Sequence, residues 1–238
     1  MRNVIAIARK EFKSYFDSPI AYIFITAFLL LVNFLYLWTF FVAGQADMRP
    51  FFGFMPFVFL FLVPSISMRL WAEERKMGTL EILLTLPIRE VDVVLGKFLA
   101  SFLFLVVMLL MTFNVPLLVG FLGDPDWGTV ICGYLGCLLL GSSYLAIGLF
   151  ASALSENQIV AFILAIAICT GMLIVGEAFF LILVPDFLVP LFEYLGLGSH
   201  FESMGRGVVD TRDVLYYLSI IGAFLYLNIN TVEHRSWV

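Results

Sequence analysis

Apolar and polar residues alternate along this chain in long blocks, and each apolar block is about as long as a helix that crosses a bilayer. Such a helix needs about 20 residues, because a hydrocarbon core of about 30 Å is crossed at a rise of about 1.5 Å per residue. Six blocks qualify, over residues 19–42, 51–68, 93–122, 127–153, 159–184 and 214–229. The pattern predicts an all-α, polytopic membrane protein in which residues 1–238 form a single transmembrane domain with six spans.

Composition and charge agree with this class and give it an orientation. Hydrophobic residues make up 62% and charged residues 13% of the chain, whereas soluble domains contain about 45–50% and about 25%. Ten of the 13 lysines and arginines fall on the side of the two termini, and only Arg49, Arg206 and Arg212 fall on the opposite side. Since loops rich in basic residues stay in the cytoplasm, both termini are predicted to be cytoplasmic. The net charge of −5 is divided between two membrane faces and gives no indication of nucleic acid binding.

The segment before the first span has the pattern of a helix that lies on the membrane. With about 100° between successive residues, one face contains Val4, Ile5, Ala8, Phe12, Tyr15 and Phe16. The opposite face contains Arg9, Lys10, Lys13 and Asp17. We expect an amphipathic interfacial helix that contacts anionic membrane lipid, with Ile7 and Glu11 as exceptions to the segregation; a basic flank that only sets the topology is the alternative. Ser18 and Pro19 are predicted to be the N-cap and the first residue of the next helix.

Few polar side chains lie within the predicted spans. The most notable are Asn33, Asn114 and Glu177. A charged Glu177 at mid-membrane would cost about 3 kcal/mol or more, so it is expected to face a cavity, a partner or the outer interface. It lies seven residues before the predicted end of its span. Snorkelling to the interface or protonation is therefore the alternative to a substrate-binding or relay role.

Small residues recur at four-residue intervals in the fourth span, at Gly133, Cys137 and Gly141. This spacing predicts a face for close helix packing. All three cysteines fall within predicted spans, which indicates neither a disulfide framework nor a metal site. The two histidines are far apart in the chain, and no HExxH motif is present, so we predict no bound metal.

The outer segment over residues 185–213 is too polar to cross the bilayer and too apolar for an ordinary loop. We predict that it re-enters the outer leaflet between spans five and six. Ser199 and Glu202 have the Ser-x-x-Glu spacing of a capping box for a short helix. Asp210 is placed to cap the final span.

A charged island interrupts the apolar pattern after span two. Nine of the residues between Met68 and Lys97 are charged, whereas residues 51–67 contain no charge. We expect span two to continue as a helix beyond the headgroups and to end at Gly78. Thr79 is placed to cap a second, short helix that Pro87 would end after about two turns. That helix would be apolar on nearly every side, which suits a protein groove with polar rims.

The island reads EERKMGTLEILLTLP from Glu73 to Pro87. It resembles the coupling region of the membrane subunits of type-two ABC transporters, where a Glu-Glu-Arg sequence is followed by Gly-Thr-Leu-Glu, Leu-Leu and Pro. The outer run SHFESMGRGVVDTRDVLYY is similar to permeases associated with gliding motility and related bacterial export systems. The resemblance extends over almost the whole chain.

This resemblance implies the permease subunit of an ATP-binding cassette transporter of the exporter type, located in the bacterial cytoplasmic (inner) membrane. It implies a dimer with a second permease copy or a related permease, two copies of an ABC ATPase subunit, and an accessory membrane subunit as a further partner. The residues it assigns to a cytoplasmic coupling helix and its approach are Glu73, Glu74, Arg75, Gly78, Thr79, Leu80, Glu81, Leu84 and Pro87. The residues it places near a pathway lined by spans one, two and five are Asn33, Pro64 and Glu177.

We predict no catalytic residue and no cofactor within the chain. Gly96 and Lys97 are followed by phenylalanine rather than Ser or Thr, and the first glycine of a phosphate-binding loop is absent, so ATP hydrolysis is assigned to a partner chain. A membrane-embedded enzyme is one alternative, but no nucleophile and base share a helical spacing. An ion-driven secondary transporter is another, but its inverted repeats are not found. The 26 phenylalanines suit either an apolar cargo or lipid-facing surfaces, so the substrate stays open.

Overall fold

The computed structural model describes residues 2–78, 88–182 and 184–235, and the regular structure within these ranges is helical. The helices are α1 (Arg2–Asp17), α2 (Pro19–Ala43), α3 (Arg49–Ser67), α4 (Arg69–Lys76), α5 (Glu90–Met111), α6 (Asn114–Leu122), α7 (Trp127–Leu154), α8 (Gln158–Ile174), α9 (Ala178–Leu181), α10 (Val189–Leu195), α11 (Leu197–Gly205) and α12 (Thr211–Arg235).

Five segments of the described residues are long and apolar enough to cross a membrane. They are Pro19–Ala43, Arg49–Lys76, Glu90–Leu122, Trp127–Leu154 and Thr211–Glu233. Helix α8 is apolar but has 17 residues, because it ends at Ile174 whereas the sequence pattern predicted a span to residue 184. The chain after α8 turns at Gly176, where a Cβ would lie 2.8 Å from the Cα atom of Gly196. This backbone contact fixes the turn and shortens the helix.

Helix α7 lies at the centre of the bundle and contacts α3, α4, α5, α8, α11 and α12. Its small residues permit these contacts, as the four-residue spacing predicted. A Cβ at Gly133 would lie 2.5 Å from the ring of Phe52, and one at Gly141 would lie 2.6 Å from Leu105 Cδ2. Cys137 is fully buried between them. The prediction that this face of span four serves packing is confirmed.

Helix caps and proline positions explain several boundaries. Ser18 caps α2 by accepting a hydrogen bond from the backbone N–H of Ile20, with Pro19 in the first turn, as predicted. Span three is divided between α5 and α6, because Pro116 cannot donate to the carbonyl of Thr112. That carbonyl accepts from the N–H of Val115 at 3.0 Å instead.

The described part of the outer segment contains two short helices, α10 and α11, before α12 begins; the shorter α9 precedes the segment. The predicted capping box is wrong. Gly196 is the N-cap of α11, and Ser199 lies inside the helix, where its Oγ donates to the carbonyls of Glu193 and Gly196. A hydroxyl that bonds backward to carbonyls is not free to cap an N–H group. The predicted cap of α12 is confirmed, because Asp210 Oδ1 accepts from the N–H of Arg212 at 2.9 Å.

Helix α1 packs along the first half of α5, which revises its predicted orientation. A Cβ at Gly96 would lie 2.7 Å from Ile7 Cγ2, and the ring of Tyr15 stacks on that of Phe104 at 4.9 Å. Ala8 and Tyr15, which were predicted to face the acyl chains, are 3% exposed and are buried by protein, whereas Ile5 is 63% exposed. The two exceptions to the amphipathic pattern, Ile7 and Glu11, lie on the packed face because they contact α5.

Candidate functional site

A buried lysine connects three helices at the end of the bundle where span two meets the charged island. Lys97 of α5 has 1% of its surface exposed. Its Nζ donates to Glu74 Oε1 at 2.7 Å and to the carbonyl of Leu70 at 2.9 Å, and Glu11 Oε1 lies 3.5 Å away. The ammonium also lies 5.0 Å from the ring centroid of Trp71. A buried charge must be paired in this way to be tolerated. We call these five residues the lysine junction.

A second set of contacts attaches α1 to the same region. Tyr15 OH and Ser101 Oγ are 3.3 Å apart, and Ser101 Oγ donates to the carbonyl of Lys97 at 2.8 Å. The guanidinium of Arg69 lies 4.6 Å from the ring centroid of Tyr15, a cation–π geometry. Burial raises the pKa of Tyr15 to about 12, so its hydroxyl stays neutral. Helices α1, α4 and α5 are thereby held in one fixed arrangement.

Ser152 of α7 supports the point where α3 passes into α4. Its Oγ accepts from the N–H groups of Trp71 and Ala72 at 3.1 and 3.2 Å and donates to the carbonyl of Met68 at 2.7 Å. Met68, which separates α3 from α4, keeps helical dihedral angles. A side chain inserted at such a position satisfies N–H groups of the first turn in the manner of a cap. Span two and the island helix are thus one nearly continuous rod, anchored to the central helix.

That rod carries the first residues of the predicted coupling region. The segment Arg49–Lys76 has 28 residues, about 42 Å at the helical rise, and so exceeds a hydrocarbon core of about 30 Å. Glu73, Glu74 and Arg75 are half-buried near its end. Gly78 terminates it with a φ of 67°, a left-handed conformation that favours glycine.

The remaining predicted coupling residues lie outside the described residues. They are Thr79, Leu80, Glu81, Leu84 and Pro87. The next described residue is Ile88, and α5 begins at Glu90. The lysine junction therefore joins the two helices that flank this segment, because Glu74 precedes it and Lys97 follows it.

The three predicted pathway residues occupy different environments. Asn33 Nδ2 donates to the carbonyl of Leu29 at 2.7 Å, and its Oδ1 accepts from Asn114 Nδ2 at 3.2 Å. Asn33 is half-buried and Asn114 is exposed on the outside of the bundle. Pro64 is buried inside it. Glu177 is exposed in the turn after α8, as expected for a carboxylate at the end of an apolar helix.

A second polar cluster fixes the opposite end of the bundle. His200 Nδ1 is 2.7 Å from Asp213 Oδ1, and its Nε2 donates to the carbonyl of Tyr194 at 2.9 Å. Ser203 Oγ donates to Asp213 Oδ2 at 2.5 Å, and the imidazole stacks on the ring of Tyr216 at 4.0 Å. The serine bonds the carboxylate rather than the imidazole, so the cluster does not form a nucleophile and base pair. It ties α10 and α11 to the first turn of α12.

Sequence reasoning missed the roles of Lys97, Ser152 and Asp213. Lys97 was counted only as a positive charge that sets topology, although its place four residues inside an apolar run, after Val93, was a signal of pairing. Glu11 was noticed as an exception on the amphipathic helix. Two opposite charges on apolar helix faces could have suggested a mutual contact. Ser152 carried no signal, because serine occurs widely in membrane helices.

The described residues form a helical, multi-pass membrane protein with a polar junction at each end of the bundle. The chain belongs to the ABC-2 family of transporter proteins, whose family model matches residues 39–235. It is therefore a type-two ABC transporter permease, a membrane subunit of a transporter. No individual curated protein matches the chain.

Proposed function

We propose that this permease is coupled to a separate ABC ATPase subunit through residues 73–87 and moves substrate out of the cell. The observation that carries the proposal is the rod Arg49–Lys76, which runs from the membrane into the Glu73, Glu74 and Arg75 sequence without a flexible break. A rigid helix transmits displacement, whereas a loop would absorb it. Binding energy that differs between two ATPase states is what would shift this rod.

The lysine junction supports the proposal because it makes the rod move with its neighbours. Glu74 on the rod and Glu11 on α1 share the ammonium of Lys97 on α5. Ser152 links the same rod to α7. A force applied at the island therefore reaches spans three and four as well as span two.

Changing Leu80 and Leu84 to aspartate tests the coupling contact. The permease is purified from its own membranes, and Mg·ATP hydrolysis by the chains that remain bound is measured. We expect the double aspartate variant to lose this hydrolysis, because an apolar contact made by the two-turn helix that the sequence predicts would bury less than about 1,000 Å² and tolerate little loss. Leu80→Met with Leu84→Met is the matched control, and an unchanged thermal transition verifies folding. Undiminished hydrolysis in the aspartate variant would reject the assignment.

We further propose that two permeases pair through spans one, two and five, with Asn33, Pro64 and Glu177 near the pathway between them. The exposed side of α8 supports this pairing. Ile159, Ile163, Ala167 and Gly171 form one exposed stripe at four-residue spacing, and the small residues in it suit close contact between helices. The amide pair of Asn33 and Asn114 lies on the outside of the bundle, where a single chain leaves it facing lipid.

Cysteine scanning along α8 tests this pairing. In a background without native cysteines, cysteines introduced at residues 159, 163, 167 and 171 should crosslink or become shielded, since this four-residue spacing is close to the helical period of about 3.6. Exposed positions of α12, such as Leu215 and Leu218, are the controls and should label evenly. If these four positions of α8 labelled as readily as the α12 controls, the dimer would be refuted. The inner membrane location is proposed from the resemblance to bacterial permeases, and the cytoplasmic termini are proposed from the distribution of lysine and arginine.

A further inference from the structure

The exposed face of α1 is basic. The opposite face of this helix, which packs on α5, holds an acidic residue that cannot neutralise the basic face. The exposed basic residues are Arg2, Arg9, Lys10 and Lys13. Arg9 and Lys13 are four residues apart and Lys10 lies beside them, so their side chains project from one side of the helix. Glu11 points the other way, toward Lys97. Asp17, at the end of the helix, is the one acidic residue of the exposed face within α1.

The position of α1 places this face at the boundary between bilayer and water. Ser18 alone separates α1 from α2, the first helix long enough to span. Tyr15 and Phe16 contact Phe104 of α5, so the end of α1 lies beside an apolar span. Ile5 is exposed among the basic residues. A cationic face with an apolar member is the pattern of a helix that binds lipid headgroups and inserts one side chain among acyl chains.

We propose that this basic face binds anionic phospholipid headgroups, and that the bound lipid stabilises α4 through Glu11, Lys97 and Glu74. The occupant is lipid because the face adjoins a membrane span and because its charge is complementary to an anionic leaflet. The coupling follows from the contacts already described. A lipid that holds α1 in place also holds Glu11 on Lys97, and Lys97 in turn holds the carboxylate of Glu74.

The consequence for transport rests on the proposed function, since α4 leads into the coupling region. The test uses the permease alone, so that its failure is distinct from a failure of ATPase coupling. Purified permease is placed in nanodiscs of phosphatidylcholine with and without phosphatidylglycerol. Lipid retention is measured by native mass spectrometry, and hydrogen exchange is followed in the amides of residues 70–76.

We expect the wild type to retain phosphatidylglycerol selectively and to show slower exchange in α4 when this lipid is present. Arg9→Gln, Lys10→Gln and Lys13→Gln together should lower the affinity for the anionic lipid by up to about 100-fold, at about fivefold per charge. Glu11→Gln should keep the lipid but lose the slowing of exchange in α4. The two variants therefore separate the binding of lipid to α1 from the stabilisation of α4 by the bound lipid.

The matched control removes the same number of charges from the opposite side of the protein, as Arg49→Gln, Arg206→Gln and Arg212→Gln. It should retain the lipid and the slowed exchange in α4. Equal retention of the two lipids by the wild type, or unchanged retention in the α1 triple variant, would overturn the proposed binding. If hydrogen exchange in α4 of the wild type did not change on adding phosphatidylglycerol, the proposed stabilisation of α4 by bound lipid would be overturned.

Discussion

Replacing Lys97 by methionine removes the cation of the lysine junction with little change in side-chain length. Two carboxylates then face one another without the ammonium between them, and the carbonyl of Leu70 loses a donor. Breaking a buried ion pair costs about 3–5 kcal/mol. The carboxylates of Glu11 and Glu74 are 17% and 18% exposed, so residual hydration reduces this cost. We expect a loss of about 2–4 kcal/mol in the free energy of unfolding.

The loss is measured as a shift of the thermal transition, followed by tryptophan fluorescence of the permease in detergent. A change of that size corresponds to about 4–16 °C for a chain of this length. Lys76→Met is the matched control, because Lys76 lies at the end of α4, the helix that carries Glu74, and is exposed. It should change stability by no more than about 0.5 kcal/mol.

A second substitution tests the cause of the loss. Adding Glu74→Gln to Lys97→Met should restore part of the stability, because it removes one of the two carboxylates left without their cation. If Lys97→Met and Lys76→Met behave alike, the ammonium is not an essential part of the junction. If Glu74→Gln destabilises the Lys97→Met variant further, the two residues do not act as a pair.

Two further predictions concern the packing around the junction. Ser152→Ala should lower the free energy of unfolding by about 1–3 kcal/mol, because two buried N–H groups lose their acceptor. Ser65→Ala is the control and should cost less, because its hydroxyl bonds only within its own helix. Equal shifts in thermal unfolding would contradict the role of Ser152. Gly96→Ala should displace α1 and cost about 1–3 kcal/mol, because its Cβ would lie 3.2 Å from the carbonyl oxygen of Val4. Gly222→Ala is the control, since a Cβ there has no neighbour within 4 Å; the α1 contact is refuted if both alanines are neutral or stabilising.

The helical segments could be predicted because the features that mark them involve residues close together in sequence. A bilayer requires apolar runs of a minimum length. Ser18 and Asp210 mark helix starts by accepting from N–H groups two positions away, and Pro19 marks one through its fixed φ. The end of α4 was predictable for the same reason, because Gly78 adopts a left-handed conformation that other residues avoid. Such features depend on neighbours in sequence, which the chain displays directly.

The interior of the site could not be predicted, because its partners are remote in sequence. Lys97 meets Glu11 across 86 positions and Glu74 across 23. The helical wheel left Glu11 as an exception to the segregation, since amphipathicity alone does not show that the face of α1 carrying Glu11 packs on protein. The end of α8 was missed because it depends on the contact between Gly176 and Gly196, which only the tertiary fold brings together.

The two polar junctions share a physical reason for their positions. Among helices within a bilayer, lipid is as apolar as the side chains, so the hydrophobic effect gives little preference for one helix arrangement over another. Helices α1, α4 and α11 lie at or beyond the ends of the spans, and for these a buried polar contact supplies the orientation that lipid cannot. Lys97 performs this role for α1 and α4, and the pair of His200 and Asp213 performs it for α11. Substituting either centre should therefore loosen elements outside the spans before it disturbs α7, and hydrogen exchange that rose first in α7 would contradict this order.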